Sequence, residues 1–183
     1  MEKISDLDYF WQKIKEVRRF LNKNDAQMTQ LLEDCLSELA AQNNLVKDSD
    51  YHHLKGYIYY RMRPQKLSAA KEEFETALEL DPSNYHSRLY LGHSFYDSGE
   101  YEEAKKQFLK IPENGLPDWL MMKVDEMIVC CKLHLSPDTA NQDIQDFLRK
   151  YAPLDYLDDY AFELSKLLKL RGRDLEKEAL KYQ

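Results

Sequence analysis

The sequence predicts an all-α chain of stacked helical hairpins, a solenoid with a helical hairpin at its N-terminus and a capping helix at its C-terminus. Three observations predict it. Between Tyr51 and Pro112 one pattern is written twice: Gly56 and Gly92 lie 36 residues apart, as do Tyr59 and Phe95, while Leu67 and Tyr101, Ala70 and Ala104, and Phe74 and Phe108 are each 34 apart. Apolar residues before and after that stretch recur every three or four positions, the spacing of one helical face. The runs are separated by breaker clusters such as Arg63-Pro64-Gln65-Lys66 and Asp97-Ser98-Gly99-Glu100.

In chain order, Ile4 to Leu21 places Leu7, Phe10, Ile14, Val17 and Leu21 on one helical face. After the turn Asn22-Lys23-Asn24-Asp25, either Asn24 or Asp25 is suited to accept the free N–H groups of a second helix with the stripe Met28, Leu32, Cys35, Leu36 and Leu39. Residues 1–48 thus form a hairpin, read as a degenerate repeat or a cap. The first clear repeat, 49–84, has helix A at Tyr51 to Met62 and helix B at Ser68 to Leu80, with Leu67, Ala70, Phe74, Ala77 and Leu78 inward; Pro64 breaks the chain between them. In the second repeat, 85–120, helix A runs from Tyr85 to Tyr96, and helix B starts at Tyr101 and is cut short by Pro112.

A third, degenerate unit, 121–153, emerges when the same offset is applied again. Ala104, Phe108 and Ile111 map to Ala140, Ile144 and Phe147, and Leu91, Gly92 and Phe95 to Met127, Ile128 and Cys131. Ile128 in place of glycine predicts a wider separation of the two helices or another crossing angle, and Ser136-Pro137 is expected to open helix B. In the closing segment, 154–183, a helix from Asp155 to Leu170 carries Leu157, Ala161, Leu164 and Leu168 on one face. Asp155, Asp158 and Asp159 at its start and Lys166, Lys169 and Arg171 at its end complement the helix dipole. Gly172 is suited to close it, and Asp174 to start a last short helix toward Tyr182.

The sequence Arg88-x2-Leu91-Gly92-x2-Phe95 followed by Ala104-x3-Phe108, with Gly56-x2-Tyr59, Ala70-x3-Phe74 and Pro82 in the first copy, resembles the tetratricopeptide repeat, a helix-turn-helix of about 34 residues. The resemblance implies that the A helices line a concave groove that binds a protein or peptide. By that register the groove takes His53, Tyr57, Tyr60 and Arg61 from the first repeat and His86, Leu89, His93 and Tyr96 from the second. The third adds Met122, Asp125, Val129 and Lys132. Tyrosine and histidine combine large contact area with a polar tip, the composition of binding surfaces. Proteins of this kind also clamp C-terminal carboxylates with lysine, arginine and asparagine. Arg61 and Lys132 are the only cations here, so a helical or extended apolar segment is the expected occupant, unless the chain's own first or last helix fills the groove.

Composition narrows the function. The chain has 183 residues and a net charge of −7, which argues against a nucleic-acid partner and leaves room for a basic protein partner. Three cysteines, Cys35, Cys130 and Cys131, form no disulfide framework, which predicts a reducing compartment. Met1 to Phe10 lacks the positive start and apolar run of a secretory leader, and no segment is long and apolar enough for a span. A cytoplasmic, uninserted protein is expected. No phosphate loop, dinucleotide fingerprint, zinc-protease or nucleophile-elbow motif is present, so the chain is read as non-catalytic and without metal or cofactor. His53, His86 and His93 are read as lining residues, since no thiol or carboxylate completes a metal set by spacing. Cys131 is expected to pack and Cys130 to remain partly exposed. The acidic runs Glu72-Glu73, Glu100 with Glu102-Glu103, and Asp155 to Asp159 read as solvated faces.

Three roles fit: a scaffold or adaptor presenting the groove to a partner, a dedicated chaperone similar to those that hold secretion translocators, and a small acidic immunity-type inhibitor of a toxin. Self-association is compatible with all three.

Overall fold

The computed structural model describes residues 6–17, 24–43, 45–154, 157 and 161–182. Their regular structure is helical: α1 (Asp6–Val17), α2 (Asp25–Ala41), α3 (Ser49–Arg61), α4 (Leu67–Leu80), α5 (Tyr85–Asp97), α6 (Tyr101–Leu109), α7 (Asp118–Leu135), α8 (Asn141–Tyr151), α9 (Phe162–Lys169) and α10 (Leu175–Ala179). The chain divides into two compact units, Met1–Ser98 and Gly99–Gln183. Their boundary falls in the turn that the sequence places inside the second repeat. Among the described residues no helix is long and apolar enough to cross a membrane.

In the first unit α1 and α2 pair through the expected stripes. Phe10, Ile14 and Val17 are buried with Met28, Leu32, Cys35 and Leu39 in one core. Asn24 rather than Asp25 caps α2, its Oδ1 accepting from the Gln27 N–H at 2.9 Å. Leu21, Asn22 and Lys23 lie outside the described residues.

The α3–α4 hairpin shows why the repeat needs glycine. A Cβ at Gly56 would lie 2.7 Å from two atoms of the Phe74 ring, closer than carbon atoms pack, and Phe74 is itself completely buried. The missing side chain is the space the ring occupies. The enlarged turn at 63–66 is tied down on both sides: Arg63 N–H donates to Thr29 Oγ1 of α2 and that hydroxyl donates to the Arg63 carbonyl, each at 2.9 Å, while Lys66 N–H reaches the Tyr59 carbonyl.

In the second unit α7 is central, pairing with α6, α8 and α9. Leu120, Met122, Val124, Met127, Cys130, Cys131 and Leu133 are all buried on it. Cys130, expected to remain partly exposed, is instead enclosed, because neighbours cover α7 on more than one side.

Ala140, Ile144 and Phe147 are buried as the offset predicts. Helix α8 nevertheless begins at Asn141, not at Ser136-Pro137. Thr139 bonds back to the Ser136 carbonyl through both its N–H and its hydroxyl, a local turn that competes with helix formation.

The helix expected from Asp155 to Leu170 is described as α9 from Phe162; Asp155, Asp158 and Asp159 lie outside the described residues. Ala161 sits at its N-cap and has no side-chain acceptor. Glu126 of α7 takes that role from another helix. Its Oε1 accepts from the Leu164 N–H at 2.8 Å, and Lys123 Nζ donates to its Oε2 at 2.6 Å, all at zero solvent exposure for Glu126. Gly172 ends the segment at φ 69°, a left-handed turn that suits glycine, and Asp174 caps α10 through the Lys177 N–H.

Candidate functional site

Three helices of the first unit each supply a pair of side chains one turn apart: Leu7 and Trp11 from α1, His53 and Tyr57 from α3, and His86 and Tyr90 from α5. Residues four apart share a helical face, so the pairs meet as short ridges. Together with Asp8 and Asp50 they line an open pocket of about 460 Å³.

Its floor is a mat of rings. Trp11 lies 5.3 Å from Tyr57 and 5.6 Å from His53 between centroids. Tyr90 meets Tyr57 edge to face at 4.9 Å, the geometry that opposed ring quadrupoles favour. His53 stands 6.0 Å from both Tyr90 and His86.

A relay of short hydrogen bonds holds His53 in place. Its Nδ1 lies 3.0 Å from Ser87 Oγ. The Ser87 N–H donates to Asn84 Oδ1, Asn84 Nδ2 donates to Ser49 Oγ, and Ser49 donates to the Ala77 carbonyl. One asparagine thus caps α5 and fastens it to the start of α3 and the end of α4, and the imidazole stands on that frame.

Burial pushes the His53 imidazole down to about 4, with the neighbouring His86 lowering it further. His86 is lowered by burial as well, against the pull of Asp50. Burial thus favours the neutral form of both rings, and the exposed side chains of Asp8 and Asp50 complete the lining.

Of the residues expected in the groove, His53, Tyr57 and His86 line this pocket. Arg61 lies 5.9 Å over the Tyr57 ring, and His93 lies 6.1 Å from Tyr90. Tyr60 turns to the end of α5, where its hydroxyl donates to Asp97 Oδ2 at 2.9 Å; burial first, and then the Asp97 charge, holds its proton tightly. Leu89 and Tyr96 are each only 8 % exposed.

The α7 residues behave differently from the expectation. Met122 and Val129 are buried, Asp125 accepts from Lys150 Nζ and the Tyr151 hydroxyl at 2.7 Å each, and Lys132 is ion-paired with Asp143. Asp125 and Lys132 each pair across to α8, and Asp125 and Val129 line a small space of about 190 Å³ between the two helices.

Trp11 and Tyr90 escaped the sequence reading. The signal for Trp11 was its position four residues after Leu7, flanking the Phe10–Ile14 stripe. That for Tyr90 was its position four after His86. Helix α1 thereby forms one wall on α3, and the rest of the pocket stays open.

Among the described residues no three potential metal ligands converge. The three cysteines are free and buried, and burial raises the thiol of Cys35 to about 11 and that of Cys131 to about 12.

Hairpins in series, with a small residue beneath a buried ring, define a helical-repeat protein. Residues 62–121 match the family model described as Tetratricopeptide repeat. Among curated proteins it is 30% identical over 83 residues to bacteriophage adsorption protein A of Escherichia coli (strain K12), a match that takes in 45% of this chain and 8% of that protein. The chain thus spans a small fraction of the length of that relative. Among solved structures, Pseudomonas aeruginosa pilF aligns with a TM-score of 0.58 and 22% identity, over 94% of this chain and 72% of that one. At that identity the likeness shows the fold alone.

Proposed function

We propose that the chain is a non-catalytic interaction module that receives a segment of a protein partner in the aromatic pocket of its first unit. One observation carries the reading. Six side chains from three helices converge on an open pocket although the adjoining core is already filled by Phe10, Leu54, Ile58 and Phe74. His53 and Tyr57 are buried at its base, while Trp11, Tyr90 and His86 keep partial or full exposure, and large amphipathic rings at a surface are what interfaces use as anchors.

A pocket of about 460 Å³ accommodates one or two side chains. That size supports an adaptor over a chaperone wrapped along a long segment. Three buried free thiols support a reducing, cytoplasmic compartment.

The test is site-specific photocrosslinking. Benzophenone-bearing residues are placed at His86 in the pocket and, as control, at Glu75 on the exposed side of α4, in a cell extract of the source organism. Protein adducts at position 86 and not at 75 are expected. Equal labelling at the two positions, or none at position 86, overturns the proposal.

A further inference from the structure

We infer that the outward face of α9, with the start of α10, forms a second docking site whose occupant is an acidic amphipathic helix of a protein partner. Apolar residues of that helix seat beside Phe162 and Leu170, and its carboxylates reach Lys166 and Lys169. The site lies within the second unit and is separate from the aromatic pocket.

Helix α9 carries two stripes. Leu164, Leu167 and Leu168 are buried, and the helix packs on α7. Phe162, Lys166, Lys169 and Leu170 have the spacing of a second helical face, and all four are exposed. An outward face ordinarily carries polar residues throughout. Here Phe162 is 70 % exposed and Leu170 76 %, one at each end of the stripe.

The face is also hollow. Together with Leu175 and Glu176 of α10 these side chains line an open cavity of about 510 Å³, in which Leu175 and Ala161 are the buried members. A hollow with buried apolar members receives side chains from a partner, whereas a lipid surface would lie across it without filling it. The net charge of −7 also opposes an anionic bilayer.

Charge selects the occupant. Lys169 is exposed and, among the described residues, pairs with no carboxylate. Lys166 meets Glu163 at 3.7 Å, beyond hydrogen-bond distance, and stays more than half exposed. Among the described lining residues these two lysines stand against one carboxylate, Glu176, so the site is locally positive on an acidic chain. Ammonium groups interleaved with exposed apolar side chains match a ligand that offers carboxylates interleaved with apolar ones.

Spacing gives the ligand its form. Phe162 and Leu170 are eight residues apart, about 12 Å along a helix axis, with both lysines between them. A helix laid beside α9 meets all four when it carries apolar residues two turns apart and Asp or Glu on the turn between, the helix-in-groove mode of recognition.

The probe is a blocked peptide of about 18 residues, long enough for partial helicity in water, with two leucines two turns apart and two glutamates between them on a frame of alanine and glutamine. It is titrated into the isotope-labelled full chain, and NMR shifts across residues 161–176 are the readout. A second peptide has glutamine for both glutamates, and a third has alanine for both leucines. The glutamate peptide is expected to bind about tenfold more tightly than the glutamine peptide, the combined effect of two partly exposed ion pairs, and the alanine peptide to cause no shifts. Lys166→Gln with Lys169→Gln should make the first two peptides equal. Phe162→Ser with Leu170→Ser should abolish binding of both, and each double variant should keep its melting curve because the four side chains are exposed.

Equal affinity for the glutamate and glutamine peptides, no shifts across 161–176, or a preference that survives the lysine substitutions overturns the inference. A dimer in sedimentation that Phe162→Ser with Leu170→Ser dissolves also overturns it, because a second copy is then the occupant. Cosedimentation with phosphatidylglycerol vesicles that the same substitutions abolish overturns it in favour of a lipid surface. Crosslinks at position 86 report on the aromatic pocket, so the failure of either reading is distinguishable from that of the other.

Discussion

The hairpins α3–α4 and α7–α8 solve the same packing problem in opposite ways. In the first, Gly56 leaves a gap that the Phe74 ring fills, and the two helices meet along much of their length. In the second, Ile128 stands where the repeat has glycine and remains half-buried beside a space of about 190 Å³, shared with Asp125, Val129, Asp143, Asp146, Phe147 and Lys150. Helices α7 and α8 meet over fewer residues and are clasped by Lys132–Asp143 and Lys150–Asp125. Both hairpins carry charged bridges, Glu73 of α4 pairing with His52 and Lys55 of α3 in the first; the difference is that the glycine lets a buried ring fill the first seam, whereas a space remains beside Ile128 in the second. The tightly packed hairpin also holds the α3 rings of His53 and Tyr57, both buried, at the base of the pocket.

The sharpest test of that contrast is to remove the ring from each hairpin. Phe74→Ala is expected to cost about 3–5 kcal/mol in urea denaturation, the usual loss for a buried phenylalanine. Phe147→Ala, at the edge of the α7–α8 space, should cost about half as much; equal costs would erase the distinction. Gly56→Leu comes next, at about 1–3 kcal/mol from overpacking. Part of that loss should return when Phe74→Leu is added, because the two positions share one space. By contrast, Ile128→Gly should cost about 1 kcal/mol, mostly through helix propensity, and a much larger loss would mean that Ile128 is packed like Phe74.

Glu126 provides a test of comparable size in the second unit. Glu126→Leu removes the acceptor of the Leu164 N–H and an ion-pair partner of Lys123, for an expected loss of about 1–3 kcal/mol. Burial holds this carboxyl above its ordinary range, with Lys123 opposing. The folded protein therefore binds this proton more tightly than the unfolded chain does, and its contribution to stability falls as pH rises from the ordinary carboxylate value through the raised one. Glu126→Gln, which keeps an acceptor and cannot ionise, should flatten that decline in thermal melts recorded between pH 4 and about 8; an unchanged slope would remove Glu126 as its source. Smallest of all, Lys132→Ala should cost less than about 1 kcal/mol, because the pair is partly exposed, and the loss should shrink further in high salt.

Much of the fold was legible because local patterns dictated it. The stripe Met28, Leu32, Cys35 and Leu39, the duplicated glycines and the capping side chains Asn24 and Asp174 each act within a few residues of where they are written. The start of α8 was misread because two competing local signals, proline at a first turn and the Thr139 turn, are both plausible in sequence, and Thr139 wins. Glu126 was illegible for another reason. A glutamate inside an apolar helix reads as solvent-facing until the end of α9, 38 residues away, is seen to need it.

The pocket divides along the same line. Tyr57, His53 and His86 were found from the register of the repeat, because position along an A helix specifies a face. Trp11 and Tyr90 were not, because which faces meet depends on how α1 and α5 lean on α3. By itself the sequence determined the helices, their caps, the two copies of the repeat and the acidic charge, since each is set by side chains near in the chain. Only the tertiary structure decided that α1 would supply a wall with Trp11, that Asp8 and Asp50 would line the same pocket, and that Asp125 and Lys132 would pair across a hairpin. Those outcomes depend on distances between segments far apart in sequence, which are set by the volume of the residues between the helices.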